Sequence, residues 1–436
     1  MRRVVALIAL AGCGDDGQVF AEPNTIELTF PSVANRKLDL LLVIYNSPGG
    51  DEAGNLANGV RAVIDAVTAV DGRLPDVHIG VTTTDLGTTG SIDPSQPAAA
   101  IGQAGSGGCA GAGDDGRLET NGAINFFVDE DDGAGGRRRN YQGELVAGLA
   151  SFISGTGQAG CAFEQPLHAV RRALSNPANS GFVRTDAHLA IVIGSAEDDC
   201  SLLDPVLLTS DTTQLGPLQS FRCTREGIVC DQPIDEAGTK TGCRSREDSS
   251  LVEPIALTDG LLRGFKRDPS LLSVATIIGA TSPFVVEPRA PPGGGTSQLA
   301  LGHSCGFTGT LGLEVANPAV RLDAFARSFG GRGLVTSICT TDLSPAFREV
   351  GRLLKHPLGV VCLDSTKLTD SNTERGIQPA CELTEIDGDI ETRLLDFEIS
   401  PDEVACPETA DHLRLIVRDA STTPGAYIRA RCETPY

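Results

Sequence analysis

Leu38-Asp39-Leu40-Leu41-Leu42-Val43-Ile44 is a short, nearly continuous apolar run, and Tyr45-Asn46-Ser47-Pro48-Gly49-Gly50-Asp51 follows it at once. A run of that length, closed by a Pro/Gly turn, reads as a strand buried on both faces. Leu56, Val60, Val63, Val67 and Val70 then recur at helical spacing, and Val77-His78-Ile79-Gly80-Val81-Thr82-Thr83 reads as a second strand. The pattern continues with a helix at about 141–154 and another carrying Phe163, Leu167, Val170 and Leu174. Strands follow at Leu189 to Gly194, Leu271 to Gly279 and Gly333 to Cys339, with helices at about 251–266 and 319–329 and one bearing Phe347, Val350 and Leu354. Repeated strand–helix–strand units predict an α/β class, a doubly wound, mostly parallel, Rossmann-like sheet with helices on both faces.

Other stretches break that rhythm. Residues 86–140 are rich in Gly and Asp, with one strand-like piece at Ile124 to Val128, and read as a long insertion. Residues 200–246 hold four cysteines and little periodicity, so they read as a disulfide-pinned excursion. Pro291-Pro292-Gly293-Gly294-Gly295 marks an exposed loop. From about 361 onward, short alternating runs such as Leu413-Arg414-Leu415-Ile416-Val417 sit among four cysteines. That composition predicts a small β-rich module over 361–436, whose core alone would be marginal without disulfide staples.

The N-terminus reads as an address. Met1-Arg2-Arg3 is basic, Val4 to Leu10 is apolar, and small residues precede Cys13, as in a secretory signal. Leu10-Ala11-Gly12-Cys13 resembles the bacterial lipobox, which implies acylation of the Cys13 thiol and attachment to a membrane through that lipid alone. The alternative is a plain signal peptide with an incidental cysteine. Residues 1–12 are thus expected to be a signal, 13–36 an anchor and a polar tether, and 37–360 the main domain.

Removing Cys13 leaves twelve cysteines: 109, 161, 200, 223, 230, 243, 305, 339, 362, 381, 406 and 432. An even number in an exported chain predicts a disulfide framework of six bridges. No C-x2-C pair exists to favour zinc. The expected pairs are Cys406 with Cys432, Cys305 with Cys339 and Cys109 with Cys161; the four between 200 and 243 stay unassigned. The 57 acidic against 35 basic residues give a net charge of −22, which repels phosphate backbones and excludes nucleic acid as a partner.

Several segments carry a resemblance: Leu38 to Ser47, His78-Ile79-Gly80-Val81, Gly160 to Leu167, Glu197-Asp198-Asp199-Cys200-Ser201 and Ser337-Ile338-Cys339. With them the chain resembles the von Willebrand factor A domain, in particular the A-like domains of exported lipoproteins in myxobacteria and their relatives. The resemblance spans roughly 37–360. It implies an adhesion site in which D-x-S-x-S after the first strand, a later Thr and a late Asp hold Mg²⁺ through hard oxygen ligands. Here Tyr45 stands in the place of the first Asp, Ser47 matches the first Ser, Gly49 replaces the second Ser, and Ala196 occupies the place of the late Asp. Thr156 is the candidate loop Thr. With both carboxylates lost, no metal and no cofactor are expected. Glu197, Asp198 and Asp199 read as a solvated acidic turn, with Ca²⁺ as the lesser alternative.

Rival chemistry is poorly supported. Pro48-Gly49-Gly50-Asp51-Glu52-Ala53-Gly54 lacks the spacing of a dinucleotide loop, and Asp85 alone is a weak ribose ligand. No H-E-x-x-H or P-loop pattern occurs. The histidines at 78, 168, 188, 303, 356 and 412 are scattered, and Asp129-Glu130-Asp131-Asp132-Gly133 and Arg137-Arg138-Arg139 read as solvated loop. Open α/β sheets bind ligands at the carboxyl ends of their strands, so Tyr45, Asn46, Ser47, Asp85, Glu197, Asp198 and Asp199 form the candidate binding edge. The expected function is non-catalytic binding of an envelope or surface macromolecule by a cell-envelope lipoprotein. The alternatives are a structural envelope lipoprotein and an exported hydrolase or redox enzyme.

Overall fold

The computed structural model describes residues 24–435, apart from 49–51, 71, 105, 267, 291–294, 310–311, 373–375, 421–422 and 424. The signal and lipidation readings at 1–23, Cys13 among them, and Gly49 lie outside the described residues.

The first elements are strand β1 (Thr25–Pro31), strand β2 (Lys37–Ile44), helix α1 (Glu52–Thr68) and strand β3 (Asp76–Thr83). Strands β4 (Phe127–Asp131) and β5 (Arg137–Arg139), helices α2 (Leu145–Gly155) and α3 (Pro166–Ser175), and strand β6 (His188–Ser195) follow. The largest sheet has seven strands in the order Gly333–Ser337, Leu272–Ile278, β6, β2, β3, β4, β5. The first five run parallel, and β4 and β5 are antiparallel additions at one edge. β2 is central because both of its faces are apolar. Leu40, Leu42 and Ile44 pack with Leu56, Val60 and Val67 of α1 and with Phe347 and Leu354 of the helix Ser344–Lys355. Leu41 and Val43 point the other way, toward Leu167 and Val170 of α3 and Phe325 of the helix Val320–Arg327. Full burial of each such side chain contributes about 1.5–3 kcal/mol.

The expected doubly wound α/β class is nevertheless wrong for the chain. Its twenty-one described strands divide among six separate sheets, five of them outside the seven-stranded one. Every pairing within those five is antiparallel. The molecule is therefore β-rich and built from many short strands. Apolar periodicity locates a strand but carries no information about its partner, so alternation along the chain overstated how much of it joins one parallel sheet.

The polar tether expected over 13–36 also needs correcting. β1 pairs along its whole length with the strand Tyr427–Glu433, from Thr25 opposite Glu433 to Pro31 opposite Tyr427. Leu28 and Phe30 enter a core with Leu363, Leu383, Leu415 and Ile428. This core lies between a four-stranded and a three-stranded sheet, so the C-terminal module borrows its edge strand from the beginning of the chain. Gly331 lets β1 approach the main domain closely, since a Cβ there would lie 1.6 Å from the Glu27 carbonyl oxygen.

Of the segments read as solvated loop, 129–131 and 137–139 lie in strands β4 and β5, while Asp132 and Gly133 belong to the exposed turn between them. Asp129 is buried on β4, and Arg137 Nε reaches its Oδ1 at 2.7 Å while Arg139 Nε stands 3.0 Å from Oδ2. The charges thus pair across the β4–β5 hairpin.

Six disulfides join Cys109–Cys161, Cys200–Cys223, Cys230–Cys243, Cys305–Cys339, Cys362–Cys406 and Cys381–Cys432. Such a framework belongs to an oxidising compartment, which makes this an exported chain. The expected Cys406–Cys432 bridge is corrected: Cys381 and Cys432 face each other in register on neighbouring strands, and closeness in sequence misled. No helix among the described residues is long and apolar enough to cross a membrane.

Candidate functional site

β2, β3 and β6 end level with one another, because Ile44 pairs with Thr83 on one side and with Gly194 on the other. Tyr45, Thr84 and Ser195 therefore leave the sheet side by side. The centre of this edge is Glu164, fully buried on the loop that precedes α3. Ser47 Oγ and Thr84 Oγ1 each hydrogen-bond one oxygen of its carboxyl group. Ser47 Oγ also lies 2.9 Å from the carbonyl oxygen of Cys161. Burial pushes the Glu164 carboxyl up to about 8 against the pull of the two hydroxyls, and the nearby charges of Glu197 and Asp85 push the same way. The edge thus holds a protonated carboxyl at neutral pH, locked between two hydroxyl groups.

The other expected edge residues are spent on the fold. Tyr45 lies in the core beside α1. Asn46 is buried, and its backbone oxygen accepts the Gly160 N–H at 2.9 Å. Asp85 accepts the N–H groups of Gly87 at 2.8 Å and Cys161 at 3.1 Å. Burial raises its carboxyl above the ordinary range, and the charge of Asp114 adds to the rise.

The acidic turn is not solvated. Asp198 accepts the backbone N–H of Arg321 at 3.0 Å and that of Leu322 at 3.1 Å, capping from afar the helix Val320–Arg327, whose own first turn has no side-chain cap. Burial of this carboxyl pushes it up to about 6 despite those bonds and the Arg321 charge. Asp199 is wholly buried and pairs with the equally buried Arg321, Nη2 to Oδ2 at 2.9 Å. Its Oδ1 accepts from Ser201 Oγ at 2.6 Å and from the Leu167 N–H at 3.1 Å. Glu197 is half-buried and lines, with Asp198, Asp199 and Arg321, a cavity of only about 30 Å³.

The edge differs from its expected composition in which residues converge. Thr156 turns its hydroxyl to Ile153 O of its own helix at 2.8 Å and takes no part; Thr84 supplies the second hydroxyl instead. Among the described residues, no group of three or more His, Cys, Asp or Glu is placed to hold a metal ion. Glu164, Thr84 and Arg321 were given no role from the sequence. Glu164 is flanked by Phe163 and Pro166-Leu167, an apolar setting that was the available signal for a buried acid. Arg321 offered none, because its partner lies 122 residues away. His168, His188 and His356 are buried neutral, each pushed down to about 3 by burial first of all.

No family profile matches the chain, and a comparison with curated proteins returns no match. Among solved structures, the pilus adhesin SpaC from Lactobacillus rhamnosus GG is similar at 9% identity and a TM-score of 0.31, over 94% of this chain and 42% of the adhesin. Its open conformation gives the same identity and TM-score over 94% and 40%. The chain spans less than half the length of that adhesin, and a likeness at this TM-score carries no argument about fold or function.

Proposed function

We propose that the protein is an exported surface protein that binds a macromolecular partner without catalysis, through the loops that cover the carboxyl edge of the large sheet. One observation supports this reading above others: the two insertions are bonded to each other over the edge. The N–H groups of Ser91 and Ile92 donate to the carbonyl oxygens of Leu202 and Leu203 at 2.9 and 3.0 Å. Cys109–Cys161 ties the first segment to the loop before α3, and Cys200–Cys223 closes the second upon itself. Loops held this way lose little entropy on binding, and Ile92 stands 62% exposed upon them. At the edge itself Glu164, Asp85, Asp198 and Asp199 already have internal partners, which favours surface recognition over chemistry on a substrate.

Immobilised protein is expected to retain a specific envelope component, and Ile92→Asp to lose it while melting as wild type does. Equal retention by the variant would sink the reading. Cys13 is proposed to carry the lipid that holds the protein to the membrane. The wild-type chain is then expected to incorporate labelled fatty acid and sediment with membranes, and Cys13→Ser to do neither. A mature N-terminus found elsewhere by mass spectrometry would count against the anchor.

A further inference from the structure

A cleft of about 470 Å³ opens beside α2, between that helix, the segment 119–124 and residues 140–142 that follow β5. α2 presents Gly148, Ser151, Phe152 and Gly155 to it, an i, i+3, i+4, i+7 row that shares one helical face. Ala123, Ile124 and Phe152 make part of the lining apolar, and Glu119 is the one charged residue in it.

The backbone fixes where Glu119 stands. Its N–H donates to Val81 O at 2.7 Å, and Leu118 before it enters the core beneath α3, whereas Glu119 lies on the α2 side. Its carboxyl group has no hydrogen-bond or ion-pair partner among the described residues. The group is not sealed: the residue is half-buried, and neither carboxyl oxygen is among the wholly buried, unpaired atoms of the chain. Burial first, then the charge of Asp114, holds this carboxyl above the ordinary range, and no basic side chain offsets them. Arg139 stands over the Tyr141 ring, 5.8 Å from its centroid, but it pairs with Asp129 and lies outside the lining. A second negative feature meets Glu119 here. Gly155 ends α2, a helix C-terminus carries partial negative charge, and the last turn of α2 has no basic residue.

A carboxylate beside a helix C-terminus calls for a cation, and the apolar lining asks that the cation have a hydrocarbon stem. A bare metal ion has no such stem, whereas a basic side chain does. The net charge of −22 also favours a basic partner over an acidic one. We propose that this cleft receives the charged tip of a lysine or arginine side chain presented by a partner protein. The cation sits between Glu119 and the end of α2, and its aliphatic stem rests on Ala123 and Ile124. The inference stands apart from the edge loops, since Ile92 is not in the lining.

Calorimetric titration of the purified full chain tests this with the acetylated amides of lysine and arginine, and with those of norleucine and citrulline, their uncharged counterparts. Both cations are expected to bind, and both uncharged compounds to bind at least about tenfold more weakly. Glu119→Gln keeps the shape of the side chain and alters the net charge of −22 by a single unit. It therefore separates this site from general attraction to an acidic surface, and a loss of about tenfold is expected. Ser151→Trp fills the cleft from an exposed position on α2, leaves Glu119 in place and is expected to abolish binding with the melting temperature preserved. Ile92→Asp is expected to bind both cations as wild type does, which keeps a failure here distinct from a failure of the edge reading. Uncharged compounds that bind as well as the cations, no heat from either cation up to about 10 mM, wild-type binding by both cleft variants, or loss of binding by Ile92→Asp would overturn the proposal.

Discussion

Replacing Arg321 with leucine is expected to lower the free energy of unfolding by about 3–5 kcal/mol, the range found when one partner of a buried ion pair is removed. Arg321 and Asp199 are 1% and 0% exposed, so the carboxylate left behind has no water to turn to. The guanidinium also donates to the backbone oxygens of Gly227 and Glu253 and to Ser245 Oγ. It therefore ties the 200–246 excursion, and Glu253 beyond it, to the helix Val320–Arg327 as well as balancing a charge. Urea melts of Arg321→Leu, Asp199→Leu and the double variant measure the coupling. The double variant is expected to be more stable than the sum of the single losses predicts. A single variant within about 1 kcal/mol of wild type would show that the pair contributes little.

Glu164→Gln is expected to remove a descending limb from the dependence of stability on pH. The Glu164 carboxyl is held at about 8 in the folded protein against an ordinary 4.5. Between those values the folded state binds more protons than the unfolded chain, so stability falls as pH rises, by up to roughly 1.4 kcal/mol per unit. Asp198 acts in the same sense up to about 6. His168, His188 and His356 act in the opposite sense. They are held near 3 against an ordinary 6.5, so the unfolded chain binds the extra protons and stability rises through that window. Wild-type stability is therefore expected to peak near pH 6.5 and to fall toward pH 8, a fall assigned to Glu164 with the charges of Asp85 and Glu197 facing it. Glutamine keeps the contacts to Ser47 and Thr84 but has no proton to lose, so its melting temperatures are expected to show no fall from pH 6.5 to 8. A descent as steep as that of wild type would assign the limb to other groups.

Individual elements were legible in the sequence wherever one face had to be apolar. The run from Leu38 to Ile44 announces a buried strand, and the helical spacing of Leu56, Val60, Val63 and Val67 announces its covering helix. Partnership was much less legible. Thr25–Pro31 alternates well, with Ile26, Leu28 and Phe30 on one side, but its partner lies at the far end of the chain, and two prolines in a polar stretch suggested a tether. At the candidate edge, the residues singled out do gather at the ends of β2, β3 and β6. What they do there was hidden, because a carboxylate in an acidic turn and one buried beneath a helix look alike in a sequence. Asp198 and Asp199 differ from a solvated pair only through Arg321, and that contact depends on the finished fold.

The union of β1 with the last strand also sets an order of events. Arg431 and Glu27 meet across 404 residues of intervening chain. Loop closure over such a span comes late in folding, so β1 is made well before its partner and is among the last segments to find its place. Until Tyr427–Glu433 emerges, Leu28 and Phe30 have no core to enter and the strand presents an open edge, the kind of surface on which chains aggregate. A chain cut short before Tyr427–Glu433 would keep that exposure permanently, so this strand guards one made about 400 residues earlier.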